Sequence, residues 1–421
     1  MDIILLLWAL IGHAFLWVAL VNRIHGTAMP HGASRSLTLL CLACLVLLPV
    51  GFGLWCFSSG LAAPEGLAWP DVPWPVLFYL GTCWVAAAMS VVWWVGRVAV
   101  NRPPHLLRFH RTRSVQLDED AARQQPRHFL VRLPGNEILQ LDVTERAIDV
   151  PRLASALDGL SIVHVSDFHF TGRVAKPYFQ EVVRRCNRID ADLVAITGDL
   201  VDHSDFIDWI PDTLGRLRAR HGVYFVLGNH DVRVDTDRLR RVLKRNGLID
   251  LGGRWLQVDV CGEPVILAGN ELPWIVPAAD MRSCPPRTAD GGPLRIVLSH
   301  SPDQLGWAQA RDVDLLLAGH THGGQIRFPL IGPIFSPSSA GVKYASGLFY
   351  APPTIMHVTR GLSGELPVRL NCPPEMAHLM LHALPRPENG IGGAHDALPY
   401  RKPQSLAISV SRPPAPPGRV E

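Results

Sequence analysis

The chain has 421 residues, a formal net charge of +3 at neutral pH, and 48% apolar residues. So small a net charge argues against a nucleic-acid-binding function, and the length exceeds what one compact domain usually needs. The eight cysteines show no spacing typical of a disulfide framework or a zinc knuckle. This cysteine usage agrees with a reducing compartment.

Three runs near the N-terminus are almost purely apolar and contain no Asp, Glu, Lys or Arg: Ile3–Val21, Leu37–Phe57 and Val76–Val95. A helix of about 20 such residues crosses the hydrocarbon core of a bilayer. In lipid the backbone must satisfy its own hydrogen bonds, so we predict three membrane-spanning helices. Two alternatives are a buried hairpin of soluble helices and, for the first run, a cleaved signal peptide. The start Met1-Asp2 lacks the positive charge that a signal peptide requires.

Arginines flank the predicted membrane helices. The loop after the first run carries Arg23 and Arg35, and the segment after the third carries Arg97, Arg102, Arg108, Arg111 and Arg113. Basic segments stay on the cytoplasmic side. We expect three spans to place the two segments on opposite sides, unless one run fails to cross, so that the segments compete and the five arginines outweigh the two. We therefore expect a multi-pass protein of the inner (plasma) membrane, with everything after about residue 97 in the cytoplasm and with membrane lipids as contacts.

The rest of the chain divides by composition into three further segments. Residues 1–100 hold the membrane helices, 101–155 form a linker and a hairpin, 156–385 form a soluble domain, and 386–421 are a disordered tail rich in proline and arginine. Within 156–385, short apolar strands alternate with helices. We predict strands at 161–165, 192–196, 223–227, 264–268, 295–298 and 313–317, and helices at 178–189, at 206–220 with an interruption at Pro211, and at 236–245. This alternation is typical of a layered α/β domain with buried strands.

Polar motifs follow five of these strands: Asp167-Phe168-His169, Gly198-Asp199, Gly228-Asn229-His230-Asp231, Ser299-His300 and Gly319-His320-Thr321-His322. Ligands of such sheets gather beyond the carboxyl ends of the strands. Each motif alone is weak, and five in one domain are hard to explain as ordinary turns. His164 lies inside a strand and is expected to be a core residue. Imidazole and carboxylate suit zinc, manganese and iron, and two cations about 3.5–4 Å apart clamp both oxygens of an in-line phosphoryl displacement.

The five motifs, in this order, resemble the calcineurin-like metallophosphoesterase superfamily over about residues 156–384. Further segments resemble a branch of membrane-tethered bacterial phosphoesterases, the YkuE/YaeI type: Gly319–Gln325, Pro329–Gly332, Lys343-Tyr344, Thr359–Leu362, Pro367–Arg369 and Pro373–Glu375. The resemblance implies a layered α/β/β/α sandwich. It also implies hydrolysis of a phosphodiester or pyrophosphate by a hydroxide that bridges two divalent cations, with manganese, zinc or iron as candidates.

The resemblance further implies the ligands of each cation: Asp167, His169 and His322 for the first, Asn229, His300 and His320 for the second, and Asp199 bridging both. His230 would stabilise the transition state or protonate the leaving oxygen. Asp231 would either orient His230 by accepting its other ring proton or cap a helix. The stretch Gly269-Asn270-Glu271 matches no motif of the family.

The sequence leaves the substrate open. The membrane helices favour a lipid-linked phosphate ester, whereas soluble nucleotides or phosphoproteins are alternatives. Five apolar residues near the motifs either contact acyl chains or pack in the core: Trp274, Ile275, Val276, Phe328 and Leu330. A non-catalytic membrane scaffold is a further alternative, but a scaffold would be expected to lose ligands, and all seven are present. No protein partner is predicted.

Overall fold

The computed structural model describes residues 2–63, 66–67, 69–100, 105–116, 129–287 and 292–384. The predicted tail, residues 386–421, lies outside the described residues, and so do residues 101–104 and 117–128 of the predicted linker.

Three long helices make up the N-terminal region: α1 (Asp2–His25), α2 (His31–Ser58) and α3 (Trp74–Val100). Each is long and apolar enough to cross a membrane, as predicted. Two short strands, β1 (Ala62–Ala63) and β2 (Gly66–Leu67), lie between α2 and α3. Helices α1 and α3 approach closely at Gly12, where a Cβ atom would lie 1.7 Å from the carbonyl oxygen of Cys83. Small residues permit such approaches between membrane helices.

The loop between α1 and α2 lies against the soluble domain. A Cβ atom on Gly26 in this loop would lie 2.5 Å from the backbone nitrogen of Ser339. Arg23 and Arg35 therefore flank the same ends of the helices as the segment after α3. If all three helices cross a membrane, α2 and α3 return the chain to the side of this loop, so the expectation that the two basic segments compete is wrong.

A seven-stranded sheet forms one layer of the soluble domain, in the order β3-β4-β17-β5-β6-β7-β8. Its strands are β3 (Leu107–Gln116), β4 (Gln140–Val150), β5 (Leu160–Val165), β6 (Leu193–Thr197), β7 (Val223–Val226), β8 (Ile249–Asp250) and β17 (Glu375–Ala383). Strands β5 to β8 are parallel. Strand β17, near the end of the described chain, pairs with both β4 and β5. The predicted hairpin segment thus contributes β3 and β4 to the sheet that holds β5 to β8.

A six-stranded sheet forms the second layer, in the order β15-β16-β12-β11-β10-β9. Its strands are β9 (Trp255–Val260), β10 (Glu263–Asn270), β11 (Leu294–Ser299), β12 (Leu315–Ala318), β15 (Gly347–Ala351) and β16 (Thr354–Val358). Strands β10, β11, β12 and β16 run parallel to their neighbours in this group. A separate small hairpin consists of β13 (Arg327–Phe328) and β14 (Gly332–Pro333).

An apolar core between the two sheets holds the layers together, with fully buried residues such as Ile162 and Leu379 from the first sheet and Leu315 from the second. Helices α4 (Lys176–Ile189) and α5 (Thr236–Arg245) pack on the outer face of the first sheet, and the short α6 (Leu305–Gln309) packs on the second. The predicted α/β/β/α sandwich with three N-terminal apolar helices is therefore confirmed.

The helix predicted at 206–220 with an interruption at Pro211 does not form as an α-helix. The chain forms 3-10 turns at Ser204–Asp212 and Leu214–Arg216 instead. Pro211 explains the difference, because proline lacks the backbone N–H that an α-helix needs and clashes with the preceding turn.

Candidate metal centre

Five loops at the carboxyl ends of the central strands bring the predicted site residues to one region. All seven predicted ligands lie there, and so do His230 and Asp231. Five of the nine have a positive φ that non-glycine residues rarely adopt: Asp167, His169, Asp199, His320 and His322, with φ between 46° and 71°. Strained backbone of this kind costs free energy and clusters at functional sites.

The first group of candidate ligands consists of Asp167, His169, Asp199 and His322, each offering an atom within 4.8 Å of the others. His322 Nε2 lies 3.6 Å from Asp167 Oδ1. His169 Nε2 lies 4.0 Å from Asp167 Oδ1 and 3.5 Å from Asp199 Oδ2. One cation bound by all four ligand atoms would hold those atoms at distances of this size from one another.

The second group adjoins the first and shares Asp199 with it. Asp199, His300 and His320 offer atoms within 4.8 Å of one another. Three polar atoms surround His300 Nε2: Asp199 Oδ2 at 3.1 Å, Asn229 Oδ1 at 3.0 Å and His320 Nδ1 at 3.1 Å. Asp199 Oδ2 thus faces both groups, the position required of a bridging carboxylate.

Three atoms of this centre are buried without a hydrogen-bond partner in the described part of the chain: Asp199 Oδ2, His169 Nε2 and His320 Nε2. Leaving buried polar atoms unsatisfied costs free energy, so such atoms are rare in native proteins. Bound cations would satisfy all three, and carboxylate with imidazole is a suitable donor set for zinc, manganese or iron. The residues present therefore fit a metal site.

The carboxylates make the centre attractive to positive charge. Burial is the largest effect on the pKa of His169 and lowers it, but Asp202, Asp199 and Asp167 together outweigh burial and raise the pKa to about 9. Burial likewise lowers the pKa of His300, but Asp199 and Asp167 raise it to about 9. Burial alone would raise the pKa of Asp199, whereas the neighbouring histidines hold it well below its usual range. A metal cation must therefore displace protons from these imidazoles.

Asp202 holds two histidines of the centre and was not singled out from the sequence. Its Oδ2 accepts a hydrogen bond from His169 Nδ1 at 2.8 Å, and its Oδ1 accepts one from His230 Nδ1. The contact predicted between Asp231 and His230 is thus made by Asp202. The available signal was the position of Asp202, a second carboxylate three residues after Asp199.

Asp231 instead ties two ligand loops together. Its Oδ1 accepts hydrogen bonds from the backbone N–H groups of Leu200 at 2.9 Å and Val201 at 3.0 Å, and its Oδ2 accepts one from Gly228 at 2.9 Å. Burial and the charge of Asp199 raise the pKa of Asp231 to about 7, although these hydrogen bonds oppose the rise. Its partners are backbone groups on either side of the centre, which fix the loops after β6 and β7.

Two other buried charged residues support the ligand loops. Glu271, from the stretch that matched no motif, accepts a hydrogen bond from the backbone N–H of Leu227 at 2.6 Å and pairs with Arg240 at 2.5 Å. Arg369 is fully buried and donates to the carbonyl oxygen of His322 at 2.8 Å. Glu271 thus holds the backbone just before Asn229, and Arg369 holds the backbone of His322.

A cavity of about 770 Å³ lies over the centre, within the usual range for small-molecule sites. Its wall on the soluble-domain side includes His169, Asp199, Asn229, His320 and His322. Trp274 also lines the cavity and stacks against His320 with ring centroids 4.8 Å apart. At the mouth, Arg233 pairs with Glu365 at 3.3 Å, and Arg233 Nη2 lies 3.4 Å from His230 Nε2.

The sequence pattern of the family described as calcineurin-like phosphoesterase matches residues 160–324, the stretch that carries β5 to β12 and all five motifs. The chain contains a calcineurin-like metallophosphoesterase domain. The predicted resemblance is thereby confirmed, and the domain is that of a metal-dependent phosphoester hydrolase.

Three relatives support the membrane-associated branch. The chain is 28% identical over 249 residues to the uncharacterized metallophosphoesterase YkuE of Bacillus subtilis, covering 56% of this chain and 84% of that protein. It is 29% identical over 225 residues to the phosphodiesterase YaeI of Escherichia coli, covering 52% and 81%. It is 30% identical over 262 residues to a transmembrane protein with metallophosphoesterase domain from Bos taurus, covering 58% and 57%.

Proposed function

We propose that this protein is a membrane-anchored hydrolase that cleaves a phosphodiester or pyrophosphate with two divalent cations. The observation that carries the proposal is the position of Asp199 Oδ2. This atom is buried without a hydrogen-bond partner in the described residues, 3.5 Å from His169 Nε2 on one side and 3.1 Å from His300 Nε2 on the other. A carboxylate oxygen so placed suits a bridge between two cations.

In this proposal each cation has its own ligands: Asp167, His169 and His322 hold the first, Asn229, His300 and His320 hold the second, and Asp199 is shared. When bound, two such cations lower the pKa of a water molecule and neutralise charge on the phosphoryl oxygens. Asp231 acts through the backbone of the loops after β6 and β7, which it holds in place.

His230 is the proposed proton donor to the leaving oxygen. Asp202 accepts from its Nδ1, which fixes the ring and leaves Nε2 on the side where Arg233 and Glu365 line the cavity. The attacking water loses a proton to solvent, and its oxygen bonds to phosphorus as the bond from phosphorus to the leaving oxygen breaks. His230 Nε2 gives its proton to the leaving oxygen and regains one from solvent after the product leaves. Arg233 lies beside the same nitrogen and is placed to bind a non-reacting phosphoryl oxygen.

The substrate in this proposal is a phosphate ester linked to a membrane lipid, and the catalytic domain lies on the cytoplasmic side of the plasma membrane. Support for the orientation comes from the arginines, because the loop after α1 and the segment after α3 lie on one side and both are basic. Soluble nucleotides and phosphoproteins are the alternative substrates.

Metal removal and replacement tests the proposal on the full chain. Purified protein in detergent is treated with a chelator, reloaded separately with manganese, zinc or iron, and assayed on bis(p-nitrophenyl) phosphate. We expect two equivalents of metal by elemental analysis and activity that returns with metal. Full activity at one equivalent would rule out the shared carboxylate. A reloaded protein that hydrolyses neither this ester nor any of a panel of nucleotides, phosphopeptides and lipid phosphate esters would be a scaffold.

A further inference from the structure

The membrane region forms part of the wall of the catalytic cavity. The cavity over the metal centre is also lined by His25 at the end of α1, by residues 27–30 of the following loop, and by Ser34, Arg35, Thr38 and Leu39 of α2. We call these residues the membrane-side wall. The metal ligands thus face a surface that the soluble domain alone does not supply.

Specific contacts hold the membrane-side wall in place. Asn22, in the last turn of α1, is buried; its Oδ1 accepts a hydrogen bond from the backbone N–H of Ser336 at 2.9 Å, and its Nδ2 donates to the carbonyl oxygen of Ile334 at 3.3 Å. The His25 ring meets Phe335 edge to face with centroids 5.8 Å apart. A buried amide with both ends satisfied fixes geometry, so α1 and the soluble domain meet in one defined arrangement.

The membrane-side wall carries one cation, Arg35, which is exposed in the second turn of α2. Within the described ranges no carboxylate lies within 4.0 Å of it, whereas Arg233 across the cavity is paired with Glu365. A guanidinium without a carboxylate partner is suited to bind a phosphate or another anion in a bidentate manner. Its place near the start of a membrane helix puts Arg35 at the depth of lipid headgroups.

Apolar residues extend from the cavity towards the lipid. Phe335, Leu366 and Leu39 line it, and Leu39 belongs to the part of α2 that can cross a membrane. Leu330, in the neighbouring loop, is 92% exposed, yet its carbonyl oxygen accepts a hydrogen bond from Trp94 Nε1 of α3 at 3.3 Å.

An exposed leucine beside the end of a membrane helix faces the bilayer and not the core. Phe328 and Val276 are exposed as well, so core packing does not account for them.

We propose that the substrate is a phosphoester of a membrane lipid, which enters the cavity from the bilayer beside α2 and places an anionic part of its headgroup on Arg35. This inference rests on the proposed function and adds where the substrate comes from and which residue selects it. Arg35 contacts no reacting bond in this arrangement; it determines specificity by binding the headgroup. The acyl chains remain along Leu39 and the exposed apolar loop around Leu330.

Two substrates and two arginine variants test the proposal in the full chain, reconstituted in lipid nanodiscs with manganese. One substrate is a dioleoyl lipid whose headgroup carries a p-nitrophenyl phosphodiester, the bond to be cleaved, and a second, non-reacting phosphate for Arg35 to bind. The other is soluble bis(p-nitrophenyl) phosphate, which lacks a second phosphate. Arg35→Ala should raise KM for the lipid ester at least about tenfold more than KM for the soluble ester, and Arg35→Lys should recover part of the loss. Arg23→Ala is the matched control, because Arg23 lies at the same end of the helices but not in the cavity wall.

Each of the other possible outcomes contradicts one specific part of the proposal: the role of Arg35, the lipid substrate or the hydrolase itself. Equal effects of Arg35→Ala on both esters, or none on either, would overturn the role of Arg35. Hydrolysis of the soluble ester but not of the lipid ester by the unaltered protein would overturn the lipid substrate and leave the proposed hydrolase standing. Hydrolysis of neither ester with any metal would overturn both. Thermal unfolding of each variant in the same nanodiscs checks that the fold is retained.

Discussion

Two groups of buried histidines lie between or beside the sheets of this molecule, and they differ in how their ring nitrogens are satisfied. One is the metal centre, represented by His169 and His320, each of which has a buried Nε2 without a hydrogen-bond partner among the described residues. The other is a pair formed by His164 of β5 and His357 of β16, of which His164 lies just before the predicted ligand Asp167 in the sequence. All four residues are buried, so burial alone does not separate a metal ligand from a core histidine.

The His164–His357 pair has a partner for every ring nitrogen. The two Nδ1 atoms lie 2.8 Å apart, His164 Nε2 lies 2.9 Å from Thr197 Oγ1, and His357 Nε2 lies 2.7 Å from Arg146 Nη1. Burial lowers the pKa of His164 to about 3, so the ring is neutral. In the metal centre, His169 Nε2 has no hydrogen-bond partner among the described residues and faces two carboxylates. At His169, an unsatisfied ring nitrogen that faces carboxylates, and not burial, distinguishes the candidate ligand from a core histidine.

The largest expected effect is on activity, and it distinguishes the metal centre from the His164–His357 pair. Asp199→Ala should lower kcat/KM on bis(p-nitrophenyl) phosphate at least about 1000-fold, because both cations lose their shared ligand. Far-UV circular dichroism should be unchanged, and elemental analysis should show less bound metal. His164→Gln is the control from the other group and should keep most of the activity. A variant at Asp199 that retained most of its metal-dependent activity would contradict the bridging assignment.

The second-largest expected effect is on stability, and it follows from a change beside the His164–His357 pair. Glu375 is buried beside this pair and contacts Arg146 at 2.9 Å and Arg360 at 3.2 Å. Glu375→Ala should lower the free energy of unfolding by about 3 kcal/mol, because two arginines lose their buried counter-charge. Thermal or denaturant unfolding in detergent measures the change.

The exposed pair of Lys176 and Asp212 provides a control at the same distance of 2.9 Å. Asp212→Ala should leave the unfolding transition where it is, because solvent screens an exposed ion pair. Equal destabilisation by the two variants would show that burial does not strengthen the Glu375 contacts.

The sequence predicted the elements whose patterns are local. Helix α5 has its predicted bounds, and strands β5 to β7 lie within one residue of theirs. Strand β17 was not predicted, because it carries polar residues such as His378 and His382 and acquires its place only by pairing with β4 and β5 more than 200 residues away. Non-local pairing of this kind leaves little trace in a short window of sequence.

The candidate site divides in the same way. Seven ligand positions could be predicted because each follows a strand in a recognisable motif, and the structure brings all seven together; their role as ligands stays a prediction. Asp202 could not be assigned, because its two histidine partners, His169 and His230, come from different loops. For Asp231 the prediction from sequence misled. It is next to His230 in the chain, but its carboxylate accepts hydrogen bonds from the backbone N–H groups of Leu200 and Gly228.

A smaller effect tests whether Asp202 positions the histidines. Asp202→Asn should weaken metal binding about 10- to 100-fold, because an amide offers one acceptor where the carboxylate accepts from both His169 and His230. The pH profile of kcat should shift as well, which a merely structural residue would not cause. Asp205→Asn, at an exposed position three residues later, is the control. Unchanged metal affinity and an unchanged pH profile in Asp202→Asn would contradict this role.

The smallest effect is a pH dependence that tests whether His164 is neutral in the folded protein. Burial, the largest cause, and Arg146 lower the pKa of His164 to about 3, while Glu375 opposes them. Because the folded pKa lies below the unfolded value of about 6.5, the unfolded chain binds a proton here that the folded protein does not, and stability falls as the pH falls from 6.5 towards 3. Between pH 6 and pH 5 this group should lower the free energy of unfolding by about 1 kcal/mol. The free energy of unfolding is measured at both pH values for the unaltered protein and for His164→Gln. The difference between the two proteins gives the contribution of His164, because the other groups titrate equally in both. If both proteins lost the same free energy of unfolding between the two pH values, His164 would take up a proton while folded. The difference between the core pair and the metal centre would then depend only on the unsatisfied Nε2 of His169.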